Sequence, residues 1–193
     1  MGQIKVALFD CGGVIYSYSL KPFFEWLKTY SKEEVDVSFK KVMIGTQSLG
    51  DFATELAGKL KINSSPCFLD ELKLAIQQGV QPLNQETLLA IDFLKKEKIK
   101  VGLLSNALPS LDGAIKNVPF DKGCVFPSYV LGLLKPDENI FKTVAKKLNI
   151  NCSEILFVDD KADNIAVAQK MGMKTILFSR QMIVNQVIER VRS

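Results

Sequence analysis

The sequence predicts an α/β fold: a Rossmann-like parallel sheet with helices on both faces, and a small helical cap domain inserted after strand 1. Three observations carry this reading. Short apolar runs rich in β-branched residues at 4–9, 99–104, 155–158 and 175–178 have the length of strands buried on both faces. Segments with helical spacing separate the later runs, and strand–helix alternation implies a parallel sheet covered on both sides. Residues 18–82 show helical periodicity and no convincing strand.

Each helix has its own local signal. Asn84 can cap a helix running to Lys96, with Leu88, Ile91 and Leu94 on one face. A strand is expected at 125–130, followed beyond Pro136 by a helix carrying Ile140, Val144 and Leu148. The helix at 162–171 is expected to stop at Gly172, and Ser179 to cap a last helix bearing Ile183, Val187 and Val191. Within 18–82 the apolar sets are Phe23, Leu27 and Tyr30; Val35, Phe39 and Val42; Phe52, Leu56 and Leu60; and Leu69, Leu72 and Ile76, punctuated by Gly45, Gly50, Gly58 and residues 63–66. The aromatic group Phe23, Phe24, Trp26 and Tyr30 reads as the core of that insertion rather than as a substrate pocket. The expected organisation is therefore a core of residues 1–17 and 83–193 with a helical insertion at 18–82.

Composition narrows the chemistry. The chain has 193 residues, more than one average domain of roughly 150, and 47% are apolar, enough for a sizeable core. With 25 basic and 21 acidic residues the net charge is +4, and the lysine pairs are scattered, so no nucleic-acid-binding arm is expected. Histidine is absent, which removes Ser-His-Asp and Cys-His catalysis and histidine-ligated metals. The four cysteines, Cys11, Cys67, Cys124 and Cys152, form no C-x-x-C pair and suit a reduced cytoplasmic protein. No apolar run approaches the ~18 residues of a membrane span, and the first residues carry neither a signal-peptide nor a myristoylation pattern.

Three apolar runs end abruptly in polar side chains. The first delivers Asp10, the second Ser105-Asn106 and the third Asp159-Asp160. The carboxyl ends of neighbouring strands in an open parallel sheet face one crevice, where ligands bind. Crowded carboxylates repel, and a hard divalent cation with oxygen ligands is the usual remedy; Mg²⁺ is satisfied by one or two carboxylates plus phosphate oxygens. Lys135 opens a helix, where its charge opposes the helix dipole, so it is expected to face an anion in the same site. Any one of these residues alone reads as a turn, a cap or a solvated lysine. The whole set in this order reads as a site.

That set resembles the haloacid dehalogenase superfamily. Its four motifs correspond to Asp10-Cys11-Gly12-Gly13-Val14, Ser105-Asn106, Lys135-Pro136, and Asp159-Asp160 with Asn164 in the following helix. The resemblance implies a phosphatase-like hydrolase with a helical cap after the first motif. By it, Asp10 is the nucleophile that accepts the phosphoryl group as an aspartyl-phosphate. Ser105, Lys135 and, by its place in the motif, Asn106 face the phosphate; Asn106 reads equally well as a positioning or turn-capping residue. Mg²⁺ is implied at Asp10, the backbone carbonyl of Gly12, Asp159 and Asp160, with Asp160 the more direct ligand of the pair. The implied substrate is a small phosphorylated molecule in the cytoplasm, with no nucleic-acid or membrane partner; oligomeric state is left open.

One departure stands out. The family's phosphatases carry a second Asp two residues after the nucleophile, as general acid–base, and here that position is Gly12. Such a group contributes typically ~10²–10⁴-fold in rate. Three accounts follow. The chain is a phosphatase whose acid is supplied by Tyr16, Ser17 or a cap residue, or whose leaving group needs little protonation. Alternatively it binds phosphorylated ligands or regulates, with little turnover. The third account, a 2-haloacid dehalogenase-like hydrolase, fits poorly, because those enzymes lack the acidic pair retained at Asp159-Asp160. Cys11 invites a cysteine-phosphatase reading, but the sixth residue after it is Ser17 where C-x₅-R chemistry needs Arg, and strand alternation turns Cys11 away from Asp10.

Overall fold

The computed structural model describes residues 3–27, 32–62, 64–179 and 183–192. Its strands are β1 (Val6–Phe9), β2 (Tyr16–Tyr18), β3 (Val80–Leu83), β4 (Lys100–Ser105), β5 (Val125–Pro127), β6 (Ile155–Asp159) and β7 (Lys174–Leu177). Its helices are α1 (Lys21–Leu27), α2 (Lys32–Met43), α3 (Leu49–Leu60), α4 (Pro66–Gln77), α5 (Gln85–Lys96), α6 (Ser128–Leu131), α7 (Glu138–Leu148), α8 (Ala162–Lys170) and α9 (Ile183–Arg192). Five strands form one sheet in the order β5-β4-β1-β6-β7, every pair parallel.

Alternation along β1 explains the layering. Ala7 and Phe9 join Leu103, Val158 and residues of α5 and α9 in one buried cluster. Val6 and Leu8 join Leu104, Phe157 and residues of α7 and α8 in the other. Each strand thus feeds two cores, which is why the runs read as continuously apolar. Close packing has a visible consequence at Gly102, where a Cβ would lie 2.0 Å from the carbonyl oxygen of Cys124.

Helix ends follow the local signals. Asn84 caps α5 by accepting from the amides of Glu86 and Thr87, and Gly172 adopts φ +86° after α8. The last helix begins at Ile183, and residues 180–182, between it and Ser179, lie outside the described residues.

Two expectations are corrected. The strand at 125–130 ends at Pro127, and residues 128–131 turn into the short helix α6, closed by Gly132 at φ +70°. More consequential is a two-stranded antiparallel ribbon, in which Tyr16 pairs with Leu83 and Tyr18 with Val80, straddling both expected boundaries of the insertion. Three residues in β2 and Pro82 in β3 leave too little alternation for a strand signal; a two-stranded ribbon tolerates the proline because both strands are edges.

Between β2 and β3, helices α1–α4 enclose a separate cluster built on Phe23, Phe39, Phe52, Phe68, Leu72 and Ile76. Phe23 is fully buried, its ring centroid 5.2 Å from that of Phe39, and Trp26 stacks 5.4 Å from Phe68. These aromatics are the core of the insertion, while Tyr30 and the Val35 side chain lie outside the described residues. Leu108, from the segment after β4, buries itself in the same cluster and ties the two parts together.

Candidate active site

The register of the sheet brings the polar strand ends to one level. Phe9 pairs with Leu103 on one side and Val158 on the other, so Asp10 stands beside Leu104 and Asp159, one residue short of Ser105. The Asp10 amide donates to the Val158 carbonyl at 2.8 Å, which carries the ladder one residue past β1. Oxygens of Asp10, Asp159 and Asp160 lie within 4.8 Å of one another.

Lys135 sits in the midst of these carboxylates. Its side chain is almost fully buried, with Nζ 2.6 Å from Asp159 Oδ2 and 2.8 Å from Asp10 Oδ1. The first contact is a hydrogen bond; the second is an ion pair without its directionality, and Asp10 Oδ1 is buried with no hydrogen-bond partner. Burial works against the charged ammonium, but Asp10 and then Asp159 outweigh it and hold Lys135 above the ordinary lysine range. The ring of Phe157 lies 5.2 Å from Nζ and closes the apolar side of the pocket.

Asp159 and Asp160 play different parts. Asp159 is wholly buried; besides Lys135 it accepts from Asn164 Nδ2, at 3.0 and 2.9 Å, and from the Lys161 amide at 2.8 Å. Those donors orient it. Asp160 is exposed, and its value is raised by desolvation and by the charges of Asp10 and Asp159. Gly13 makes room for it: φ is +92°, and a Cβ there would fall 2.2 Å from Asp160 Oδ2.

Asn106, read from the sequence equally as facing a phosphate or as a positioning residue, grips the backbone of Lys135. Its Nδ2 donates to the Lys135 carbonyl and its Oδ1 accepts from the Lys135 amide, both at 2.9 Å. That reciprocal clasp pins the Lys135 backbone to the end of β4. Ser105 is 2% exposed and lines, with Gly12, a chamber of about 130 Å³ between the sheet edge and the helical insertion. Tyr16, Tyr18, Leu20, Phe39, Met43 and Leu108 supply much of the remaining wall. Sequence reading missed this wall, because its residues come from three separate segments and carry no motif. Cys11 is buried in the cluster on the opposite face from Asp10, as alternation requires.

The site can hold a divalent cation. Three carboxylates gather around one buried ammonium with their oxygens within 4.8 Å of one another, and Asp160 lies exposed over Gly13. An all-oxygen set of this kind suits Mg²⁺.

A family model described as haloacid dehalogenase-like hydrolase matches residues 4–172. The chain belongs to the haloacid dehalogenase-like hydrolases. This hydrolase is 27% identical over 191 residues to the D-ribitol-5-phosphate phosphatase of Bacteroides thetaiotaomicron, covering 90% of this chain and 91% of that one. A 62-residue stretch is 39% identical to drimenol cyclase drtB of Aspergillus calidoustus, of whose length the chain spans only 11%. Among solved structures, the magnesium complex of the HAD family enzyme bt-2542 from Bacteroides thetaiotaomicron superimposes with a TM-score of 0.80 at 23% identity, covering 97% of this chain and 99% of that one. That likeness shows a shared fold.

Proposed function

We propose that this hydrolase cleaves phosphate monoesters of small molecules in a Mg²⁺-dependent reaction through an aspartyl-phosphate on Asp10. One observation carries the reading: Asp10, Asp159, Asp160 and Lys135 meet at the carboxyl edge of the sheet, with Lys135 Nζ within 2.8 Å of Asp10. Family membership and the phosphatase relative support the same chemistry. The helical segment 18–82 is the cap over this site, and residues 1–17 and 83–193 are the catalytic core. Scattered basic residues, and four cysteines that form no disulfide, fit a cytoplasmic enzyme with neither nucleic-acid nor membrane partners. No described helix is long and apolar enough to cross a membrane.

In the first step an Asp10 carboxylate oxygen forms a bond to phosphorus while the P–O ester bond breaks, and the electron pair leaves with the ester oxygen. Lys135 lowers the repulsion between the Asp10 carboxylate and the phosphate dianion, and the Ser105 hydroxyl donates to a phosphate oxygen. Asp159 positions Lys135, and Asn106 positions its backbone. Asp10, Asp160 and the Gly12 carbonyl, with Asp159 alongside, would hold Mg²⁺, which would supply charge neutralisation on the phosphoryl oxygens. Water then opens the acyl phosphate, releasing inorganic phosphate and restoring Asp10.

Gly12 shapes the rest. With no carboxyl there, the departing oxygen receives no proton from that position. Tyr16 is a weak substitute, since burial, then Cys11 and Asp10, push its phenol well above the usual tyrosine range. The proposed enzyme therefore prefers leaving groups that need little protonation, such as p-nitrophenol or a carboxylate. The same glycine favours a second reading, a protein that binds phosphorylated ligands with little turnover. The test is hydrolysis of p-nitrophenyl phosphate with Mg²⁺, abolished by Asp10→Asn. Phosphate-ligand binding without turnover across a broad ester panel would establish the second reading instead.

A further inference from the structure

The chamber beside Ser105 says what kind of group leaves. Its volume of about 130 Å³ is close to that of an apolar cavity able to hold a single benzene ring, roughly 150 Å³. Leu20, Phe39, Met43 and Leu108 form its apolar wall, and no charged side chain lines it among the described residues. Its polar groups are few: the Ser105 hydroxyl, the two tyrosines, and Asn106, whose amide is committed to the Lys135 backbone. Tyr18 Oη is buried without a hydrogen-bond partner and can satisfy one ligand hydroxyl. A polyol would bury its further hydroxyls against Leu20, Phe39, Met43 and Leu108, at a cost for each.

Gly12 supplies an independent constraint. The position that would protonate a departing alkoxide has no side chain, and the nearest heavy atom to a Cβ built there is Tyr18 Cβ at 3.7 Å. A phenol ionises near pH 10, as the tyrosine side chain does, whereas an aliphatic alkoxide is far more basic. Of apolar six-carbon groups, the aromatic one leaves without an acid.

We infer that the substrate is a small aryl phosphate, its single ring seated in the chamber walled by Leu20, Phe39, Met43 and Leu108, with the phosphoryl group toward Ser105. In the reaction the P–O(aryl) bond breaks, the phenolate oxygen keeps the electron pair, and solvent water protonates it. This inference rests on the phosphatase reading given above.

The test compares three esters with Mg²⁺: phenyl phosphate, cyclohexyl phosphate of the same carbon count, and glycerol 1-phosphate. Phenyl phosphate is expected to exceed cyclohexyl phosphate in kcat/KM by at least about 100-fold, the lower bound for an absent general acid. Calorimetry with phenylphosphonate and methylphosphonate reads the chamber without turnover. The phenyl compound should bind at least about tenfold more tightly, the least that an added apolar group brings in a fitted pocket. Met43→Gln should erase most of that ratio while Met43→Leu retains it. Turnover of p-nitrophenyl phosphate with glycerol 1-phosphate preferred over phenyl phosphate would overturn the inference and leave the phosphatase reading standing. If no ester is turned over, the phosphatase reading fails, and equal binding of the two phosphonates overturns the chamber assignment as well.

Discussion

Restoring a carboxyl at position 12 probes the chemistry most directly. Gly12 does not occupy the left-handed region, and a Cβ there meets nothing nearer than 3.7 Å, an ordinary contact, so Gly12→Asp is expected to fold. A general acid contributes about 10²–10⁴-fold, equivalent to roughly 3–5 kcal/mol of transition-state stabilisation. That gain should appear only where protonation limits the rate. The variant is therefore expected to raise kcat/KM on cyclohexyl phosphate by about 100-fold or more, with little change on p-nitrophenyl phosphate. The assay is steady-state kinetics on both esters at saturating Mg²⁺, with circular dichroism to establish folding. A folded variant whose cyclohexyl phosphate rate stays level or falls would refute the reasoning, because the acid would then come from elsewhere.

Other outcomes follow from the same geometry. Asp159→Ala strands the buried Lys135 beside Asp10 alone and should cost about 3–5 kcal/mol in urea unfolding, with partial recovery in the Asp159→Ala/Lys135→Met double variant. Gly13→Ala combines φ +92° with a Cβ 2.2 Å from Asp160, so it should lose at least ~1–3 kcal/mol and weaken Mg²⁺ binding in calorimetry. Because desolvation, and then the charges of Asp10 and Asp159, raise Asp160, the folded chain holds that proton more tightly than the unfolded one. Metal-free stability should therefore fall as pH rises from the ordinary carboxylate value of 3.8 through the raised one, and Asp160→Asn should flatten that slope in chelator-treated protein. Adding Mg²⁺ at 100 times its dissociation constant should restore about 2.7 kcal/mol, read as a higher melting temperature.

Much of the core was legible in the letters because its signals are local. A run of β-branched residues buried on both faces looks the same wherever the strand sits, and Asn84 caps α5 through bonds to amides two and three residues away. The strand ends were legible for the same reason: Asp10, Ser105 and Asp159 each follow directly on an apolar run, and a parallel sheet aligns such ends. The β2–β3 ribbon was not legible, since Tyr16 and Leu83 pair across 66 intervening positions and neither strand has enough length to show alternation. Nor was the end of the strand at Pro127, where the chain turns into α6 while its apolar pattern continues through Val130.

By itself, then, the chain's order of residues determined a parallel α/β core, a helical insertion and a family of carboxylates with one lysine. Tertiary structure alone decided the division of labour among them. Asp159 became a buried anchor for Lys135 while Asp160 stayed exposed over Gly13, and Asn106 clasped the Lys135 backbone. It also decided that residues from β2, Leu20 just beyond it, α2 and the segment after β4 line one largely apolar chamber. The physical reason is range: caps and strand burial act over a few residues, whereas charge pairing and cavity walls depend on distances set only when distant segments pack.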